Sequence, residues 1–247
     1  MISYFNIPPQ ALINVPITKK QFAEKSTLSG TEKRVLREDI EHITMKGLMQ
    51  TRTSGIASYT DSNYNYDQIV FAEVDIRNKA KTAVIATMIQ KAFPAPLILI
   101  VRCGDAYCLN WCVKRINQTD NSKRVIEDEQ TTRFFTLNGD ETIVNDWLNS
   151  LDSTKIECST LKDLFDKLSL TLLMLKVADE TGILTKGDVH RIVNYREILE
   201  QLKINREEQR SVCSEIKAET QFNTQLKLTS KLKELQLQEE ELKKKMK

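Results

Sequence analysis

The stretch 68-QIVFAEVDIRNKAKTAVIATMIQKAFPAPLILIV-101 decides the fold. Gln68 to Ile76 is rich in β-branched and apolar side chains and Leu97 to Val101 is continuously apolar, so both read as strands. Between them Val84, Ile85, Met88, Ile89 and Ala92 recur at helical spacing, which predicts a helix over Lys79 to Phe93 closed by Pro94 and Pro96. A helix of that length carries the chain across the sheet. The two strands are therefore expected side by side and parallel, with a right-handed connection.

Toward the C-terminus, Gly104 and Asp105 offer a tight turn into a third strand, Ala106 to Lys114, expected antiparallel to the second. Alternation puts Tyr107, Leu109, Trp111 and Val113 on the core face and Cys108, Asn110 and Cys112 on the other. A further strand is expected over Thr131 to Leu137. Asp140 is placed to cap a short helix burying Ile143, Val144, Trp147 and Leu148, and a second helix should run from Leu161 to Asp179 and stop at Gly182. The longest apolar run, Leu168 to Val177, is shorter than the roughly 20 residues of a membrane span and reads as a buried helix.

Toward the N-terminus, Pro8, Pro9 and Pro16 exclude helix and predict an extended segment over Tyr4 to Lys25. Ser29 and Glu32 form a capping box, and Leu36, Ile40 and Ile43 share one helical face, which predicts a helix from Thr31 to Lys46. Lys33, Arg34 and Arg37, with the basic pair Lys19 and Lys20, are candidates for contact with nucleic-acid phosphate, although Glu38 and Asp39 balance them as on any solvated face. His42 has no second ligand nearby in sequence and reads as a surface or core-edge histidine. Thr51 to Asp67, polar and punctuated by Gly55, reads as a loop whose Tyr59, Tyr64 and Tyr66 either pack back on the domain or anchor a partner.

From Lys186 to Lys247, tolerant and apolar residues recur at alternating steps of three and four, the mark of a coiled-coil seam. One register holds Ile192, Tyr195, Leu199, Leu202, Arg206, Gln209, Cys213, Ile216 and Thr220. A second, out of phase with it, holds Gln221, Gln225, Leu228, Leu232, Leu235, Glu239, Leu242 and Met246. The phase break near Gln221, Phe222 and Asn223 is either the turn of a hairpin or a skip in one long helix that pairs with a second copy, and no Gly or Pro marks it. Arg206 and Gln209 interrupt the seam with polar groups, which costs stability but specifies pairing. Thr185 and Asp188 are placed to cap the arm. Leu199, Leu202, Phe222, Leu228, Leu232, Leu235 and Leu242 are its candidate interaction residues.

The whole chain has 247 residues, with 36 Lys and Arg against 34 Asp and Glu, and this near-balance argues against non-specific binding to nucleic acid through a strongly basic surface. Any contact with nucleic acid is expected to be indirect. Cysteines at 103, 108, 112, 158 and 213 lack paired CxxC spacing and have only His42 and His190 to help them, so no metal or other cofactor is expected. Met1 to Pro9 has neither a basic head nor a long apolar core, which predicts a cytoplasmic protein with reduced thiols. The fold class is thus α/β (α+β): a small mixed sheet with a βαβ unit and helices over 1–185, then a coiled-coil helical arm over 186–247.

Enzyme chemistry has one candidate place. Glu73 and Asp75 lie on one face of the first strand, and paired carboxylates can hold a divalent metal. The Glu-x-Lys strand of metal-dependent nucleases does not follow, since the later strands end in Arg102 and in Lys114 and Arg115. No glycine-rich phosphate loop and no GxSxG elbow occurs.

The order PITKKQF, LSGTEKRVLREDIEHIT, QIVFAEVDI, FPAPLILIV and KAETQFNTQLKLTSKLKELQLQEEEL resembles the bacterial and archaeal family called domain of unknown function 4391, over essentially the full chain. Thr18 stands where the family pattern IPKK has Pro. The resemblance implies no activity and no catalytic residue. It does imply an association with helicases and DNA methyltransferases of restriction-like or phage-defence loci. The expected function is that of a non-enzymatic accessory protein whose coiled coil docks a protein partner in such a DNA-processing complex, with a homodimer as the other use of the seam. The alternative is a metal-dependent nuclease or phosphodiester enzyme using Glu73 and Asp75.

Overall fold

The computed structural model describes residues 1–185 and 191–246. Single 3-10 turns at Ile2–Phe5 and Pro9–Ala11 lead into β1 (Leu12–Ile17), α1 (Lys19–Lys25), α2 (Gly30–Glu38), β2 (Ile40–Gln50) and α3 (Thr51–Ser54). The two-residue strands β3 (Tyr59–Thr60) and β4 (Asn65–Tyr66) precede β5 (Gln68–Ile76). Then come α4 (Thr82–Ala92), β6 (Leu97–Cys103), β7 (Ala106–Ile116), β8 (Arg124–Thr131) and β9 (Phe135–Thr136). Four helices end the chain: α5 (Thr142–Asn149), α6 (Leu161–Thr181), α7 (Ile192–Ala218) and α8 (Phe222–Lys244). Contacts group into two units, Met1–Leu175 and Lys176–Lys247.

In the first unit, one mixed sheet runs in the order β1, β2, β5, β6, β7, β8, with β9 also on β7. As the sequence predicts, β5 and β6 are parallel, from Val70 opposite Leu97 to Asp75 opposite Arg102, and β6 and β7 are antiparallel. Val70, Ala72 and Val74 of β5, Leu97, Leu99 and Val101 of β6 and Cys108 of β7 form one buried cluster with Phe22 of α1, Leu36 of α2 and Ile85, Met88 and Ile89 of α4. Helices thus cover that face. The opposite face is buried as well, with Phe71, Ile98, Leu109 and Trp111 at most 1% exposed and the Phe5 ring set edge-on to Phe71 at 5.1 Å. Burial on both faces is the normal state of a sheet with parallel strands. It makes Cys108, Asn110 and Cys112 core residues along with the Trp111 face.

Asn110, Gln90 and Lys114 are buried polar groups, and each is satisfied. The Gln90 amide donates to Leu97 O and to Asn110 Oδ1 at 2.8 Å, and its oxygen accepts the Cys112 thiol. Lys114 Nζ donates to Phe93 O at 2.6 Å and Ala95 O at 2.9 Å, stapling the link between α4 and β6. Burial brings Lys114 down to about 8, because the desolvated ammonium is the disfavoured form. An unfolded lysine titrates near 10.4, so from about pH 8 to about pH 10.4 the unfolded chain holds a proton that the folded chain has released. Stability is therefore expected to rise with pH across that window, relative to a Lys114→Met variant compared by urea unfolding. Parallel profiles for the two proteins would show that Lys114 titrates alike in the folded and the unfolded chain.

Five local expectations are corrected. The helix predicted over Thr31 to Lys46 ends at Glu38, and Ile40 and Ile43 belong to β2. A register shift between Ile40 and His42 lets two strand residues three apart both face the core, which imitates helical spacing. The segment over Tyr4 to Lys25 is not all extended: Thr18 closes a capping box with Gln21 and starts α1. Thr51 to Asp67 is not a bare loop, since it holds α3 and the β3–β4 hairpin. The predicted strand over Thr131 to Leu137 is the end of β8, a break, and then β9. Finally, Glu141 rather than Asp140 occupies the N-cap of α5, without a side-chain cap bond. The helix over Leu161 to Thr181 does stop at Gly182, whose φ of 73° suits a residue without Cβ.

In the second unit, α7 and α8 pack against each other, so the phase break at Gln221 is a turn. Cross-helix bonds run Asn205 to Leu235, Arg206 to Glu239 and Glu208 to Lys231, the pattern of an antiparallel hairpin. The cap assigned to Thr185 and Asp188 falls partly outside the described residues, as does His190.

Candidate functional site

The hairpin seam is built from both registers. Tyr195, Leu202, Leu235 and Met246 are buried, and Leu199, Leu228, Leu232 and Leu242 are half-buried. Ile198, Asn205 and Val212, each one residue ahead of a first-register position, are buried too, so the interface is wider than a strict heptad stripe. Phe222, grouped by sequence with the seam leucines, instead stands 70% exposed at the start of α8.

A polar layer crosses the middle of the seam. Arg206 donates to both carboxylate oxygens of Glu180 at 2.7 and 2.5 Å and from Nε to Glu239 at 3.0 Å. Gln209 donates to Glu239 at 2.8 Å and Lys243 reaches it at 3.0 Å. Burial alone would raise Glu239, but hydrogen bonds from Lys243, Arg206 and Gln209 bring it down to about 2, so it is ionised at neutral pH. One heptad of slippage along α8 would leave these charges unpaired, and the layer therefore specifies register.

Apolar side chains of the hairpin are open to water. Ile204 is 56% exposed, Leu226 50% and Leu237 67%. A groove of about 360 Å³ runs between the helices, with Ile204, Leu235 and Leu242 among its apolar walls and Glu208, Gln238 and Lys245 on its rim.

Glu73 and Asp75 share a sheet face near the C-terminal ends of β5 and β6, and each carboxylate has a cation. Lys46 Nζ lies 3.3 Å from Glu73 and Arg102 Nε 2.5 Å from Asp75, and the Asp75 bond raises Arg102 further above its ordinary value. Among the described residues no three His, Cys, Asp or Glu side chains converge as a metal cage.

The basic residues singled out by sequence are dispersed over α1 and α2. Lys19 donates to Arg37 O, Lys20 pairs loosely with Glu24, Arg34 and Arg37 both hold Glu38, and Lys33 is exposed. Tyr59, Tyr64 and Tyr66 surround Lys162 of α6, with its ammonium 5.6 to 5.9 Å from each ring. Tyr66 is buried against Phe165, so these tyrosines pack back on the domain.

A family model described as Domain of unknown function (DUF4391) matches residues 5–238. The chain belongs to that family. Membership in DUF4391 covers both units and carries no activity with it. No curated protein and no solved structure matches this DUF4391 chain. Among its described residues no helix is long and apolar enough to cross a membrane.

Proposed function

We propose that this chain is a non-enzymatic accessory protein whose helical hairpin docks a protein partner, in the setting of a DNA-processing complex. The observation that carries the reading is the division of labour across the hairpin. Its seam is satisfied internally by leucines and the Arg206–Glu239 layer, while Ile204 on the wall of the groove, and Leu226 and Leu237 elsewhere on α8, stay open to water. Exposed apolar residues on a pinned helical pair are the usual anchors of helix-in-groove recognition. The inward leucines then act by holding the hairpin straight, and a second copy is not needed to cover them.

A second reading is a metal-dependent phosphodiester enzyme. It draws on the position of Glu73 and Asp75 near the strand ends where α/β sheets bind ligands, with Lys46 close by. One set of variants separates the two. On the first reading, a partner recovered with the full chain from its native cell is lost with Ile204→Glu plus Leu237→Glu and with a chain ending at Thr185, and is kept by Glu73→Ala plus Asp75→Ala. Loss of cellular function in that last variant, still folded, together with magnesium-dependent cleavage by the parent, would select the enzyme instead.

A further inference from the structure

Away from the arm and from the Glu73 face, three segments distant in sequence build a basic cleft. Lys25 at the end of α1, Lys91 in the last turn of α4, and Lys123 with Arg124 at the start of β8 line one cavity of about 420 Å³. Its floor is Met88 and Gln90, both buried, and Leu28 and Ile126 add apolar wall. Charge in the cleft is uneven. Lys123 has Asp120 at 3.0 Å, whereas the one carboxylate of the wall, Glu32, is turned to the α2 cap, accepting from Ser29 N at 2.8 Å and Ser29 Oγ at 2.7 Å. Ser26 Oγ, also in the wall, is buried without a hydrogen-bond partner among the described residues. A buried hydroxyl ordinarily has one.

Two features oppose an anion here: the Glu32 carboxylate, which stays charged under its Ser29 bonds and interacts with Lys91, and the negative C-terminal end of α4. The Lys114 ammonium meets it from beneath through Phe93 O and Ala95 O, so that end does not stand unneutralised. The volume lies in the range of small-molecule sites, and a cationic rim beside the apolar Leu28, Met88 and Ile126 matches a charged phosphoryl group joined to a flat, apolar-faced base.

We infer that this cleft binds a nucleotide, free or as one unit of a nucleic-acid strand, with Lys25, Lys91, Lys123 and Arg124 around the phosphate. The site stands apart from the hairpin reading, and neither depends on the other. The test is calorimetric titration of the full chain with adenosine triphosphate, a short single-stranded oligonucleotide and inorganic phosphate. Lys91→Glu plus Lys123→Glu is expected to weaken nucleotide binding at least about tenfold, and Lys227→Glu plus Lys233→Glu, equal in charge but exposed on α8 outside the cleft, to leave it unchanged. Binding of the triphosphate assigns a free nucleotide, and binding of the oligonucleotide alone assigns the strand. Failure of both to bind, equal loss in the two double variants, or inorganic phosphate binding as tightly as the nucleotide would overturn the inference.

Discussion

Replacing Trp111 with alanine is expected to lower folding stability by about 3–5 kcal/mol, the range for emptying a buried aromatic site. Trp111 is 1% exposed at the middle of β7, paired to Ile98 on one side and Gln130 on the other, so no surface movement can refill its volume cheaply. Its indole nitrogen has no hydrogen-bond partner among the described residues, which makes the role one of shape. Trp111→Phe should therefore cost much less than Trp111→Ala. Trp147 stays as the fluorescent reporter in both variants, held by its hydrogen bond to Thr171 O at 2.7 Å. A Trp111→Ala midpoint in urea equal to the parent's would remove Trp111 from the core.

The other large effect belongs to Leu235→Asp. Leu235 is 6% exposed in the hairpin seam, and a carboxylate there would sit unpaired in apolar surroundings beside the ionised Glu239, at a cost of about 3–5 kcal/mol. Helical signal in circular dichroism should fall by the share of α7 and α8, while fluorescence from Trp111 and Trp147, both in the sheet unit, keeps its parental unfolding midpoint. A drop in that midpoint as large as the loss of the hairpin would mean that the two units unfold as one. Undiminished helicity would mean that Leu235 does not hold the hairpin.

Much of this architecture was legible because its patterns are local. The crossover from Gln68 to Val101 is strand, helix, strand in the sequence and in the fold, since each element carries its own period and proline marks the return. The two arm registers were legible for the same reason, with Arg206 and Gln209 marked as polar interruptions, but not the pairing of Arg206 with Glu239 of the second register. That these two meet depends on where the turn falls, which neither helix encodes alone. What misled was backbone irregularity. The shifted register at Ile40 and His42 gave β2 a helical spacing. The edge strand β8, Arg124 to Thr131, is charged and kinked at Asp128, where φ is 51°, so it lacks the apolar alternation of an inner strand. The basic cleft was invisible for a third reason: Lys25, Lys91 and Lys123 come together only through the packing of α1 and α4 and the β7–β8 hairpin.

The Lys114 staple has a consequence for the order in which the chain is made. The carbonyls it fastens, Phe93 O and Ala95 O, precede it by 21 and 19 residues, so the link into β6 leaves the ribosome before the ammonium that fixes it. Until β7 follows, those two carbonyls have to be satisfied by water. The crossover can then form its helix early but lock its return strand only when the third strand arrives, and the sheet closes around its newest segment. In a nascent chain the link between α4 and β6 therefore lacks its ammonium until Lys114 has been made.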